Sequence, residues 1–136
     1  MNFRASSTYT PVDISRVMQR IVPQMVDAVT EGCEEVQVEA QDIVPVDTGD
    51  LRNSIMVQTV ALEGSVVQGT VAANQPYAGY VEFGTGKRGA SSPGAGPYPY
   101  TDSWPGMPSQ PYMRPALDTA RPAIIDAFAK RGFQVS

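Results

Sequence analysis

The stretch that decides the fold is DISRVMQRIVPQMVDAVTEGCEEVQVEAQDI, residues 13–43. Its apolar residues recur at steps of three and four, which places them in one stripe along an amphipathic helix. The stripe consists of Ile14, Val17, Met18, Ile21, Val22, Met25, Val29, Cys33, Val36, Ala40 and Ile43. Asp13 is a suitable N-cap, and Pro23 predicts a kink or a division near the start. We expect a helix over 13–43, about 45 Å long at 1.5 Å per residue.

The rest of the chain predicts a small sheet and a second helix. Residues 54–62 and 66–73 are rich in β-formers, carry apolar groups on both faces, and are joined by a turn at Glu-Gly-Ser. This pattern predicts a hairpin covered on each side. In the next segment, PYAGYVEFG, the apolar residues have spacings that fit both a strand and a turn of helix. A helical stripe over 112–131, with Pro115 in its first turn, predicts a C-terminal helix.

The predicted fold class is therefore α+β, with a long N-terminal helix and a C-terminal helix packed on a small antiparallel sheet. Residues 1–136 form a single domain in this prediction. Its parts are a flexible arm at 1–12, the long helix at 13–43, a β-hairpin region at 54–83, an extended Pro/Gly-rich loop at 84–111 and the C-terminal helix at 112–131.

Composition narrows the class of function. The chain has a net charge of −4, no histidine and a single cysteine, Cys33, so an internal disulfide is excluded and catalysis would need carboxylates or lysine. Cys33 lies on the apolar stripe, which favours a buried and inert thiol. Acidic residues concentrate in 13–50, with nine acids against two bases, and no basic face for nucleic acid is evident. We predict no cofactor, no metal and no membrane span, and the N-terminus lacks the apolar core of a signal peptide.

The loop at 84–111 is the most unusual segment. It holds six glycines and six prolines in 28 residues, together with Tyr98, Tyr100 and Trp104. A flexible linker would not need three large aromatic side chains, so we predict a binding arm that is disordered in the free subunit and ordered on docking. Lys87 and Arg88 are typical of solvated surface charge, and as part of this arm they join the aromatics as candidate interface residues.

Two short motifs suggest catalysis or nucleotide binding. Asp47-Thr48-Gly49 matches the motif of dimeric aspartic proteases, and such an enzyme is the alternative function. The motif follows a predicted helix rather than a strand, so a turn capped by the Asp47 side chain, with Gly49 at positive φ, also explains it. The G-x-G-x-x-G at residues 84–89 is followed by a Pro/Gly-rich segment and not by the helix that a nucleotide site requires.

Three blocks carry a resemblance to a known family. They are PVDTGDLRNS at Pro45–Ser54, YAGYVEFGT at Tyr77–Thr85 and QPYMRPA at Gln110–Ala116. In this order and spacing the chain resembles the neck and tail-completion proteins of tailed bacteriophages. The resemblance covers about residues 13–131, and the long insertion at 87–109 departs from it.

The resemblance implies a non-enzymatic virion protein of the head–tail interface, assembled in the host cytoplasm. It would form a ring that joins the portal to the tail or terminates the tail tube, and a hexamer is expected for a terminator. The implied partners are copies of itself, the neighbouring connector or stopper ring and the tail tube, and DNA would pass through the channel without tight binding.

Each of the three blocks contains one charged residue of interest: Arg52, Glu82 and Arg114. These charges suit either locks within one chain or pairs between subunits, and we favour the former because buried ion pairs chiefly fix geometry. Asp47, Gly49 and Gly84 are the remaining candidates for structural roles in the blocks.

Overall fold

The computed structural model describes residues 13–134, and the predicted arm at 1–12 lies outside them. The fold is α+β, as predicted: a long N-terminal helix and a C-terminal helix accompany a two-stranded antiparallel sheet. In chain order the elements are α1 Ile14–Ile43, α2 Asp50–Ser54, β1 Ile55–Glu63, β2 Val66–Ala73, α3 Ala78–Phe83, α4 Gly86–Ala90 and α5 Met113–Ala129.

Helix α1 begins as the sequence predicts. The Asp13 side chain accepts hydrogen bonds from the backbone N–H groups of Ser15 and Arg16, at 3.1 and 3.4 Å. The predicted division at Pro23 is wrong, because the helix runs through this residue for all of its 30 residues. Pro23 is exposed, so water can reach the backbone carbonyl that its missing N–H leaves free.

The sheet is a hairpin that packs on α1. Strands β1 and β2 pair from Ile55–Ala73 to Glu63–Val66, with an irregularity between Val57 and Thr59. The Gln37 side chain of α1 accepts a hydrogen bond from Val57 N at 2.9 Å, which ties the helix to β1. Met56 is 46% exposed, so the expectation of a sheet covered on both sides is wrong. Helix α1 covers one face, and the other remains partly open.

The core lies where the C-terminal half of α1 meets α5. Ala40, Ala116 and Ala120 are almost fully buried, and such small side chains allow the two helices to approach closely. The remaining members of the core are Val36, Val44, Leu51, Ile55, Ala78 and Tyr112. Glu31 forms ion pairs with Lys130 and Arg131 at the end of α5. The start of α1, where residues 14–21 are all exposed, extends beyond its partner helix.

Several boundaries differ from the sequence-based expectation. The ambiguous end of the 54–83 region is helix α3 and not a strand. A short helix, α2, precedes β1, and the predicted extended loop at 84–111 contains the short helix α4. Helix α5 begins one residue later and ends two residues earlier than the predicted 112–131.

Candidate functional site

A buried carboxylate from α3 holds the start of α5. Glu82 is 4% exposed, and its Oε2 accepts hydrogen bonds from the backbone N–H groups of Tyr112 and Met113 at 2.8 and 2.9 Å. Its Oε1 accepts from Arg114 twice, from the backbone N at 3.2 Å and from Nε at 2.9 Å. The free N–H groups at a helix N-terminus attract negative charge. Glu82 thus caps α5 from a distant part of the chain.

The electrostatics of this site favour an ionised Glu82. Burial alone would raise the pKa of its carboxyl group. The hydrogen bonds from the Tyr112 and Met113 amides and from Arg114 outweigh that effect and lower the pKa below its ordinary value. The carboxylate is therefore charged at neutral pH and serves as a structural anchor.

Tyr112 completes the anchor from the core side. Its side chain is 1% exposed, and its hydroxyl donates a hydrogen bond to the backbone carbonyl of Ala78 at 3.1 Å. Burial, reinforced by the nearby Glu82 and Tyr77, raises the pKa of this phenol to about 12. Sequence reasoning missed this residue, although an aromatic directly before a helix and inside the third block was a usable signal.

Arg114 links the same anchor to the loop. Besides its ion pair with Glu82, its guanidinium donates a hydrogen bond to the carbonyl of Gly94 at 2.6 Å. It also lies over the ring of Phe83, 4.7 Å from the centroid. Glu82 and Arg114 therefore form a lock within one chain, which agrees with the favoured alternative.

The glycines of the G-x-G-x-x-G motif allow two backbone segments to cross. Thr85 and Met107 exchange backbone hydrogen bonds at 2.8 and 3.0 Å. Gly84 has φ +78°, and a Cβ there would lie 2.6 Å from Ser109 N. A Cβ at Gly86 would lie 2.8 Å from the Cα of Gly106. Only residues without a side chain fit so close a crossing, which explains the motif without a nucleotide.

The loop is folded against its own domain, so its predicted disorder is wrong. The Tyr100 hydroxyl donates a hydrogen bond to the carbonyl of Phe83 at 2.8 Å and accepts one from Gly96 N at 2.9 Å. The ring of Tyr98 packs edge-on against Phe83, with 5.0 Å between centroids. These contacts, with the backbone hydrogen bonds at Thr85, offset the entropy lost when the loop is ordered. The composition of the loop gave no sign of them. Tyr100 is half-buried and acts within the chain.

Two of the other candidate interface residues, Tyr98 and Trp104, form an exposed surface with Tyr80, which the sequence did not indicate as an interface residue. Tyr80, Tyr98 and Trp104 are 56%, 43% and 50% exposed and line a cavity of about 540 Å³. Helix α4 is held beside them, because the backbone N–H groups of Lys87 and Arg88 donate to the carbonyls of Trp104 and Pro105. Both basic side chains are exposed and, among residues 13–134, form no ion pair. We call these five residues the aromatic patch.

Asp47-Thr48-Gly49 forms the turn between α1 and α2. Gly49 has φ +88°, as the turn interpretation predicts. The side-chain hydrogen bond is made by Thr48, whose Oγ1 accepts from Asp50 N at 3.3 Å, so the expected cap by Asp47 is wrong. Asp47 is exposed, and Arg52 is exposed without an ion pair in the described part of the chain.

The comparison with protein families agrees with the three-block resemblance. Residues 13–84, more than half of the chain, match the family model HK97-gp10_like, described as "Bacteriophage HK97-gp10, putative tail-component". The chain belongs to this family. Its match includes the first block and the second block up to Gly84 and ends before the third. This tail component is accordingly a structural protein of the phage virion.

No curated protein and no solved structure matches this tail component. Within residues 13–134, no helix has the length and apolar character needed to cross a bilayer, and acidic or cysteine side chains form no cluster suited to a metal ion. The features that distinguish this tail component are therefore its surfaces and the lock that organises them.

Proposed function

We propose that this tail component forms a ring, a hexamer, at the head–tail interface, where it joins the connector to the tail or terminates the tail tube. A ring of six identical subunits is built by head-to-tail contacts, in which two different surfaces of the subunit meet and the rotation between neighbours closes the ring. A subunit at the junction also needs a surface for the adjoining ring. The observation that supports this proposal is the presence of two separate exposed apolar surfaces.

The first surface lies at the N-terminal end of α1. Ile14, Met18 and Ile21 are 70%, 47% and 39% exposed, and the hairpin turn beside them exposes Leu62 and Val66. The apolar groove between helix and hairpin has a volume of about 180 Å³. We call this group of five residues the tip surface. Contiguous apolar exposure of this kind is typical of interaction sites.

The second surface is the aromatic patch, near the other end of α1. Pro45 and Val46, directly after α1, line one cavity together with Val81 of α3, and Tyr80 precedes Val81 in that helix. Because α1 has 30 residues, the two surfaces are separated by roughly 40 Å. A subunit with apolar surfaces at opposite ends can contact a copy of itself through one and a different ring through the other.

In this proposal DNA passes through the ring without tight binding. The net charge is −4, and an acidic protein releases few counterions from DNA. The proposed partners are copies of the same chain, a connector or stopper ring and the tail tube, with assembly in the host cytoplasm. No observation favours the aspartic protease, because Asp47 lies exposed in a turn between helices.

Native mass spectrometry of the purified full chain tests the proposal, together with a reconstruction of the virion. We expect a hexameric ring on the tail axis, next to the connector. A protein present in virions as a monomer, or as a ring away from the head–tail junction, would contradict it.

A further inference from the structure

The aromatic patch is built to accept a partner without reordering. The Tyr98 ring packs against Phe83, and the backbone of Trp104 is held in place because its carbonyl accepts a hydrogen bond from Lys87 N. Surfaces that are already in place lose little conformational freedom on binding. Tyr, Trp and Arg are also the side chains that contribute most to protein interfaces. The patch therefore has the composition and the rigidity of an interface centre.

Its charge indicates the kind of partner. Lys87 and Arg88 lie exposed on α4, and Asp102 is the one acidic residue of the segment 84–111. A surface with unneutralised cations around aromatic side chains favours a partner that presents carboxylates around an apolar side chain.

Such a surface exists on this chain. On the solvent side of α1, Glu34, Glu35 and Asp42 are exposed, and Val38, 52% exposed, lies between them. Spacings of three and four residues place Val38 beside all three carboxylates on one helix face. We call these four residues the acidic stripe.

Within residues 13–134, the carboxylates of the acidic stripe are not neutralised by any ion pair. Glu31 on the same helix, in contrast, is neutralised by Lys130 and Arg131. Exposed carboxylates on one face of a helix give that face a negative potential, which attracts a cationic partner.

We propose that the aromatic patch of one subunit docks on the acidic stripe of a neighbouring copy of the same chain. Lys87 and Arg88 then lie against Glu34 and Glu35, and Val38 enters the cavity of about 540 Å³ between the aromatic rings. The inference rests on the proposed ring and specifies its lateral contact. It leaves the tip surface for the adjoining ring of the virion.

A charge-reversal experiment tests this pairing. The variants are Lys87→Glu/Arg88→Glu, Glu34→Lys/Glu35→Lys and the combination of all four, with ring formation followed by native mass spectrometry and sedimentation over a range of concentrations. All four residues are exposed, so circular dichroism and thermal melting should show a folded subunit. We expect each reversed pair to weaken assembly at least tenfold and the combined variant to recover most of it.

The control for Glu34→Lys/Glu35→Lys is Asp118→Lys/Asp126→Lys, which makes the same charge change at two exposed positions of α5, one of which, Asp118, pairs with Arg121 on the surface. It should assemble like the unmodified chain, and equal weakening by this control would overturn the pairing as a mere net-charge effect. A second check that does not alter charge is Trp104→Ala with Val38→Ala. The double variant should weaken ring assembly by less than the sum of the two single variants, since each substitution removes the same contact.

The outcomes separate the pairing from the proposed function. If the unmodified chain forms no ring, the proposed function fails and the pairing with it. If it forms a ring that survives every reversal, or one that Lys87→Glu/Arg88→Glu breaks without recovery in the combined variant, the pairing alone is wrong. Lys87→Glu/Arg88→Glu could also leave the ring intact and abolish its attachment to the connector, the tail tube or duplex DNA. That result would assign the aromatic patch to the partner whose attachment is lost.

Discussion

Glu82 and Arg114 are 32 positions apart in the chain, yet their Oε1 and Nε atoms lie 2.9 Å apart, on the boundary between α3 and α5. The same carboxylate accepts hydrogen bonds from the first backbone N–H groups of α5. The pair therefore determines where α5 begins and holds the base of the loop to it. A buried carboxylate with this many donors contributes mainly by fixing geometry.

Replacing the carboxylate should destabilise the fold. Glu82→Gln keeps the shape and removes the charge, so we expect a loss of about 2–4 kcal/mol in the free energy of unfolding, measured by urea denaturation. The control is Glu35→Gln, an exposed glutamate on α1, which should change this free energy by less than about 0.5 kcal/mol. Equal effects of the two substitutions would show that Glu82 is no anchor.

The contribution of Glu82 should depend on pH in the acid range. Its folded-state pKa is lowered, so its stabilisation is complete above the ordinary value of 4.5 and is lost as the pH falls through the folded-state value. The difference in unfolding free energy between the unmodified chain and Glu82→Gln should be constant near neutral pH and shrink below 4.5. A difference that grows on acidification would contradict the lowered pKa.

The raised pKa of Tyr112 predicts that the free energy of unfolding also depends on pH in the alkaline range. Its folded-state pKa is raised from 10.0 to about 12, so its stabilisation is complete below pH 10.0 and is lost as the pH rises toward about 12. Tyr112→Phe should cost about 1 kcal/mol at neutral pH, because the Ala78 carbonyl loses its donor, and should lessen the alkaline loss. Ultraviolet titration of the phenols provides the direct measurement.

Gly69 of β2 lies so close to α1 that a side chain at this position should destabilise the fold. A Cβ at this position would overlap Cys33 Sγ and would lie 2.7 Å from Val29 Cγ1. Gly69→Ala should therefore lower the free energy of unfolding by about 1–3 kcal/mol, and adding Cys33→Ala should restore part of it. Gln68→Ala, at an exposed position of the same strand, is the control. Full tolerance of Gly69→Ala in thermal melts would refute the close approach.

The folded loop predicts slow amide exchange in the free subunit. The backbone N–H groups of Thr85, Gly96 and Met107 are all hydrogen bonded within the chain. Peptides containing them should exchange more slowly in the monomer than the exposed segment around Ser103. Tyr100→Phe should remove the protection at Gly96 first, since its hydroxyl is the acceptor there. Exchange at the rate of an unstructured peptide would restore the disordered-arm interpretation.

Periodicity explains what the sequence could predict. The stripe of α1, its Asp13 cap and the hairpin are encoded in neighbouring residues, so fold class followed directly. Helix α3 could not be assigned because its six residues are too few to show a period. Lys87 and Arg88 were placed correctly on the surface, as isolated basic pairs usually are.

The organisation of the candidate site depends on contacts that no local pattern shows. Tyr100 bonds to Phe83 across 17 positions and Glu82 reaches Tyr112 across 30, so the order of the loop was invisible in its composition. The glycines of residues 84–89 were noted as a motif, but they are required because the backbone around Met107, which pairs with Thr85, approaches them closely. Thr48 rather than Asp47 makes the turn bond, and the sequence could not decide between them because either side chain is chemically suited to it.

The contacts that close the base of the loop determine which changes in loop length the fold can accept. Glu82 and Thr85 hold one end, and Met107 and Tyr112 hold the other, whatever the length of chain between them. The entropy of closing a flexible segment rises only with the logarithm of its length, so doubling an insertion there costs about 0.6 kcal/mol. An insertion that leaves the contacts of Gly94, Tyr98 and Tyr100 with the rest of the domain in place should therefore cost the fold little. A phage lineage can lengthen the exposed parts of this segment and acquire a new partner specificity while its scaffold stays the same.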